Sequence, residues 1–284
     1  MNRLLVNIYG LVPKTLKQSL GQSKIFKGLR QKLLYSKNGF KTAKVLVNRA
    51  YGNHLVSFNF VASIKIASKA KHVGIENTVL RNSLSLTDLY FPDRTDLCVL
   101  DVGSNFGYLA SVWADSIASK GNVLAFEPNK NLYDSIQKTI ASNSKFNTNF
   151  KVFNLAVGSK KETVKLNTSA FSSNTEAMSA AFESYAIDMI TLDEFTIEHQ
   201  ISNIDLIKID VDGIELDILK GAASILRRNQ SIVIVETNED KNIIDFFKTI
   251  DYDIYDMKLQ LFEGNGVLPS NVFCVPKTLR RDAI

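Results

Sequence analysis

The alternation of apolar and polar positions is most regular between residues 97 and 275. Short apolar runs rich in β-branched residues occupy 97–102, 122–126, 150–157, 205–210 and 231–235, as in strands buried on both faces. Between them, 106–119, 130–143, 213–228 and 240–249 carry apolar residues at helical spacing. Strands alternating with helices predict an α/β fold, a parallel sheet with helices on both faces. The chain closes differently: 252–257 and 271–275 read as two strands joined by a loop holding Gly264 and Gly266, with no helix between them. They predict an antiparallel hairpin at one edge, bringing the sheet to seven strands.

Upstream, 54–68 alternates, with Val56, Phe58 and Phe60 on one side, and predicts strands or a hairpin. Gly74-Ile75-Glu76-Asn77 leads into a helical segment that stops before Pro92. Residues 23–36 predict an amphipathic helix capped by Ser23, with Ile25, Phe26, Leu29 and Leu33 on one face and Lys24, Lys27 and Arg30 on much of the rest. Such a face suits either an anionic membrane surface or the domain behind it. The stretch 168–181, rich in Ser, Asn and Ala, reads as a loop, either a lid over an acceptor or plain surface.

Charge divides the chain in the same place. Residues 1–75 hold fourteen Lys or Arg and no acid; the first acidic residue is Glu76. The remaining 209 residues hold 20 basic and all 29 acidic side chains. A basic extension, 1–73, thus precedes an acidic main domain, 74–284. Such an arm meets membrane phosphates, nucleic acid, an acidic partner or its own domain. It lacks an obvious nucleic-acid motif, so peripheral membrane contact through 1–36 and docking on the chain's own domain stand as equal expectations, and nucleic acid is not expected. No apolar run approaches the ~18 residues of a membrane span. Cys98 and Cys274 lie inside strand-like runs, which predicts buried, reduced thiols and a cytoplasmic location.

The chemistry starts where the first strand ends, at Asp101-Val102-Gly103-Ser104-Asn105-Phe106-Gly107. A strand, a glycine turn and a helix start let a small molecule lie against the backbone. A dinucleotide site needs a middle glycine for the pyrophosphate, and Asn105 stands there instead. No Gly-Lys-Ser/Thr follows, which excludes a P-loop. Yet Glu127 ends the next strand, 24 residues after Gly103, where an acid bonds a ribose diol. A ligand with a ribose and no pyrophosphate meets both conditions. S-adenosylmethionine is one: its amino-acid end would lie along the turn near Asp101, its ribose at Glu127.

The second informative stretch is Lys208-Ile209-Asp210-Val211-Asp212-Gly213-Ile214-Glu215. Lys208 and Asp210 share one strand face, and a lysine in a central strand calls for a charged partner. The strand order reverses beside this strand, so Asp210 is expected to face the cofactor's methyl end or the acceptor. Asp210 is the first candidate for general base or acceptor anchor, Lys208 its orienting partner, and Asp212 the second candidate. Asp212-x-x-Glu215 also has the form of a capping box. Asp210, Glu236 and Asn238 end adjacent strands and offer oxygens suited to Mg²⁺, but such scattered acids are common without metal, and no metal site is assigned.

These segments, with Phe126-Glu127-Pro128-Asn129, Asn154-Leu155-Ala156-Val157-Gly158, Thr191-Leu192-Asp193 and Leu219-Lys220-Gly221-Ala222, resemble the FkbM-type methyltransferases from about Gly74 to Pro276. The resemblance implies a class I methyltransferase (Rossmann-like) fold, S-adenosylmethionine as cofactor, and O-methylation of a hydroxyl on a sugar or glycan, a lipid or another natural product. Carried onto this chain, it places Asp101, Gly103, Asn105, Gly107, Glu127, Asn129 and Ala156 around the cofactor. The family pattern has glutamate where Asp212 stands, one CH₂ longer. An RNA methyltransferase using the basic arm and a non-catalytic scaffold are the alternatives.

Overall fold

A computed structural model describes residues 6–7, 9–10, 28, 34–36, 39–168, 183–211 and 213–279. Most of the 23–36 helix, its membrane contact and nearly all of the 168–181 loop lie outside the described residues. The described chain begins with a short bridge, β1 (Tyr35–Ser36) on β2 (Gly39–Phe40). β3 (Thr42–Tyr51) and β4 (His54–Ser63) then pair antiparallel along their whole length. Two helices follow, α1 (Ile64–His72) and α2 (Asn77–Tyr90).

The main body runs β5 (Cys98–Val102), α3 (Tyr108–Ala114), β6 (Asn122–Phe126), α4 (Lys130–Ala141), α5 (Phe146–Asn149) and β7 (Phe150–Phe153). It continues with β8 (Ala156–Val157), β9 (Glu162–Thr168), β10 (Glu183–Ile190), α6 (Leu192–Glu198), β11 (Leu206–Ile209), α7 (Glu215–Lys220) and α8 (Ala223–Asn229). β12 (Ile232–Glu236), α9 (Asn242–Thr249), β13 (Tyr252–Tyr255) and β14 (Asn271–Pro276) complete it.

Seven strands form one sheet in the order β13-β14-β12-β11-β5-β6-β7. β12, β11, β5, β6 and β7 are parallel, and β14 runs antiparallel to both its neighbours. This is the seven-stranded, mostly parallel sheet with a terminal antiparallel hairpin that the patterning predicts. Alternate strand residues enter two separate cores. Val99, Val123 and Ile234 pack with α2, α3 and α4, while Leu100, Leu124 and Val233 pack with α6, α8 and α9. Burial on both faces is why these strands read as continuous apolar runs.

Several boundaries differ from the sequence reading. The expected strand 150–157 breaks at Asn154-Leu155: β7 stays in the main sheet and β8 joins β10 and β9 in a three-stranded sheet. Asn154 causes the break, donating Nδ2 to the carbonyls of Glu127 and Pro128, both at 2.9 Å. The helix expected at 213–228 divides into α7 and α8 around Gly221-Ala222. Cys98 is only half-buried; Cys274 is buried, and both are free thiols.

The β3–β4 hairpin packs on the main body as part of its core, with Phe58 and Phe60 in the same cluster as Val99 and Trp113. Each such ring is worth roughly 1.5–3 kcal/mol when fully buried. The outer edge of β4 is also satisfied, although no described strand pairs there. Val61 N–H donates to Thr139 Oγ1 (3.0 Å), Asn59 N–H to Asn143 Oδ1 (2.7 Å) and Ser57 N–H to Asp115 Oδ2 (2.6 Å). Side chains thus take the place of a strand along an edge that would otherwise present open donors. Among the described residues no helix is long and apolar enough to cross a membrane.

Candidate active site

The carboxyl ends of β5, β6 and β11 meet at a cavity of about 570 Å³. Its floor is the glycine turn. Gly103 has φ +76° and Asn105 φ +53°, so both sit in the left-handed region. Asparagine tolerates that region better than other side-chain-bearing residues, which lets Asn105 occupy a glycine-like position. Its N–H donates to Glu127 Oε2 at 2.7 Å, and Asn129 N–H donates to Oε1 at 2.8 Å. Each carboxylate oxygen therefore keeps an accepting position for another donor. Asn129 itself caps α4, its Oδ1 accepting from Asn131 N–H at 3.0 Å.

Burial pushes Glu127 from 4.5 up to about 8, against the opposing pull of its two N–H donors. The folded chain thus holds this proton more tightly than the unfolded chain does. The contribution to stability is complete below about 4.5 and is lost as pH rises through about 8. The ligand-free protein is expected to lose melting temperature across that window through Glu127. Glu127→Gln, which cannot ionise, should flatten this part of the profile; an unchanged slope in thermal melts would rule it out.

Lys208 lines the cavity from β11 and is 5% exposed. Its Nζ donates to Gly103 O at 3.0 Å and lies 3.2 Å from Asp210 Oδ2 and 3.6 Å from Asp101 Oδ1. Burial alone would lower its pKa; Asp210, Asp101 and Glu76 together outweigh that and keep it charged, above the usual ammonium range. Asp210 moves down from the carboxylate range, because Lys208 and Glu236 more than offset its burial. Glu236, half-buried beside Asp210, moves up to about 7 through partial burial and the neighbouring Asp210 charge. Asp210 and Glu236 titrate together, and Lys208 draws the charge of the pair towards Asp210.

Asp101 is the exception to this pairing. It is 1% exposed, and neither carboxylate oxygen has a hydrogen-bond partner. Lys208 is within ion-pair range only. An unsatisfied buried carboxylate costs about 1–3 kcal/mol or more, and Asp101 lines the cavity, where a ligand's donor would relieve that cost.

The walls are apolar. Leu155, Ala156 and Val157 line the cavity together with Val164, Leu166 and Met189 of the small sheet, in which Met189 is paired with Ala156. Tyr185 of β10 ties that sheet down, donating to Pro128 O (2.7 Å) and accepting from Lys130 N–H (3.0 Å).

The FkbM methyltransferase domain matches residues 101–257, more than half of the chain. The chain belongs to the FkbM methyltransferase family. Its similarity to hexuronic acid methyltransferase AglP of Haloferax volcanii runs over 136 residues at 28% identity, 48% of this chain. The match spans about half of that relative, 54% of its length. Among solved structures, methyltransferase FkbM from Methylobacillus flagellatus KT aligns at 17% identity with a TM-score of 0.43, over 66% of this chain and 47% of that one. A methyltransferase from Geobacter sulfurreducens aligns at 10% identity and a TM-score of 0.42, over 70% and 79%. The sheet order described above is that of class I methyltransferases.

In this FkbM-family chain one cavity gathers Asp101, Gly103, Asn105, Glu127, Asn129, Ala156, Lys208 and Asp210. Gly107 stands behind the turn as N-cap of α3. Asp212 lies outside the described residues. The described start of α7 has Ile214 as its N-cap, two residues later than the capping-box spacing of Asp212 and Glu215 expects. Glu215 reaches back instead, accepting from the N–H groups of Val211 (3.2 Å) and Gly213 (3.3 Å). Asn238 is spent on the same carboxylate, at 2.6 Å. Among the described residues no group of three or more His, Cys, Asp or Glu is placed to hold a metal ion. Asp193 of the Thr-Leu-Asp motif is structural: its carboxylate accepts from Ser224 and Ile225 N–H and caps the start of α8. Sequence reasoning missed Glu76, which enters the cavity from the N-terminal side.

Proposed function

We propose that this chain is an S-adenosylmethionine-dependent O-methyltransferase acting on a hydroxyl of a sugar or glycan, a lipid or another natural product. One observation carries the cofactor: the buried Asp101, whose oxygens accept no hydrogen bond, and the half-used Glu127 line one cavity at the glycine turn. A cationic amino group and a ribose diol fit those two carboxylates, and no pyrophosphate is needed. Leu155, Ala156 and Val157 supply an apolar slot for adenine beside Pro128. The similarity to a hexuronic acid methyltransferase favours a sugar acceptor.

When bound, S-adenosylmethionine supplies an electrophilic methyl on its sulfonium. Asp210, ionised and 31% exposed at its side chain, accepts the acceptor hydroxyl's proton as the oxygen attacks. Lys208 fixes the Asp210 carboxylate and joins it to the turn through Gly103 O. The rest of the acceleration comes from holding the two reactants in line.

Calorimetry tests the cofactor. Wild type should bind S-adenosylmethionine and S-adenosylhomocysteine, and Glu127→Ala should weaken both by about tenfold or more, the worth of a hydrogen-bonded charged group. Labelled methyl transfer to hydroxylated sugars and lipids then tests the acceptor class. No binding by wild type at millimolar cofactor defeats the proposal.

A further inference from the structure

Glu76 stands in the cavity without a structural task. It is the N-cap residue of α2, yet its side chain makes no capping hydrogen bond. Its backbone is left-handed, φ 46° and ψ 44°, an unfavourable conformation for a glutamate. Such conformations persist where the surroundings over-determine them, and they cluster at ligand sites.

The surroundings here form a chain of hydrogen bonds. Asn77, the next residue, donates Nδ2 to Val73 O at 3.0 Å. Its Oδ1 accepts from the Tyr51 hydroxyl at 3.2 Å. Tyr51 and Tyr108 hydroxyls are 2.9 Å apart, and since Tyr51's single proton goes to Asn77, Tyr108 is the donor between them. Tyr51 ends β3, and Tyr108 is the first residue of α3, directly after the glycine turn. The N-terminal hairpin, α2 and the cofactor turn are therefore locked together at the point where Glu76 enters the cavity.

Glu76 lines the cavity, and no described residue donates a hydrogen bond to its carboxylate. Four carboxylates, Glu76, Asp101, Glu127 and Asp210, line this cavity around one ammonium, Lys208. Two of them, Glu76 and the fully buried Asp101, have no hydrogen-bond donor among the described residues. Asp210 is already held by Lys208, and Glu127 by two backbone N–H groups.

We infer that Glu76 and Asp101 together receive the α-ammonium group of the cofactor's methionyl end, so that the start of α2 completes the cofactor site. Tyr51 and Asn77 are positioning residues in this arrangement, acting through Glu76. The inference deepens the cofactor reading above and rests on it.

The test titrates wild type and Glu76→Gln with three ligands: S-adenosylmethionine, S-adenosylhomocysteine and 5′-methylthioadenosine, which lacks the amino-acid end. Glu76→Gln keeps shape and removes charge. Its affinity for the first two should fall by the same factor, about tenfold or more, while 5′-methylthioadenosine binding stays unchanged. Undiminished binding of S-adenosylhomocysteine by the variant overturns the inference. So does a loss confined to S-adenosylmethionine, which would place Glu76 at the sulfonium. Loss of 5′-methylthioadenosine as well also overturns it, because the adenosine half makes no contact with an ammonium site. If wild type binds none of the three, the cofactor reading itself has failed, a result separate from any behaviour of the variant.

Discussion

Replacing Gly103 with alanine is expected to abolish cofactor binding and to lower stability by about 3 kcal/mol or more. Two effects add. At φ +76° a side chain costs roughly 1–2 kcal/mol in backbone conformation. A Cβ would also lie 1.9 Å from the carbonyl oxygen of Asp210, a backbone atom at the end of a central strand. That atom has no rotamer to escape into, so the turn or β11 must move, and Lys208 bonds to both segments. The change reaches Asp101, Lys208 and Asp210 together. For a chain of this size the melting temperature should fall by about 6 °C or more. Gly52→Ala is the internal comparison. Gly52 has φ +58° in the β3–β4 turn with nothing near a new Cβ, so only the conformational cost applies. Equal melting temperatures for the two variants would show that the close approach at Gly103 carries no energy.

Asp210→Asn should reduce kcat by about 10²–10⁴, the range of a positioned general base. Its effect on cofactor affinity should stay within about tenfold. Asparagine keeps the shape and loses the ability to take the hydroxyl proton. The variant also removes one anion from the buried Lys208, leaving Asp101 at 3.6 Å and Gly103 O at 3.0 Å. Some stability should therefore go with the rate, and turnover is best measured at saturating cofactor well below the variant's melt. A kcat within a few-fold of wild type would show that Asp210 only orients the acceptor, as positioning alone then suffices.

Both effects fall on residues that stand out in the sequence, and the reasons are local. The run Leu97 to Val102 announces a strand buried on two faces, and Asp101 is conspicuous because such a run has no place for a charge. Lys208 is conspicuous in the same way, and its partner two residues on follows from the period of a strand. Glu127 was found through the arithmetic of one βαβ unit. Other residues gave a weaker signal or misled. Asn154-Leu155 looked like the middle of a strand, because nothing local reveals that Asn154 will bond the Glu127-Pro128 backbone. Asp212 and Glu215 have the spacing of a capping box, yet Glu215 serves the loop before α7. Glu76 had one signal, being the first acid after a long basic stretch.

By itself the sequence determined the α/β class, the parallel sheet with its closing hairpin, and the glycine turn with its two distant carboxylates. These depend on periodicity and on spacing within single strand–turn–helix units, which short-range sterics and burial enforce. Only the tertiary structure decided that the β3–β4 hairpin belongs to the core, that a small second sheet walls the cavity, and that Glu76 lines it together with Asp101. Those outcomes depend on contacts between segments far apart in the chain. A carboxylate's role there is set by which donors the fold leaves for it: two backbone N–H groups for Glu127, a lysine for Asp210, and none for Asp101.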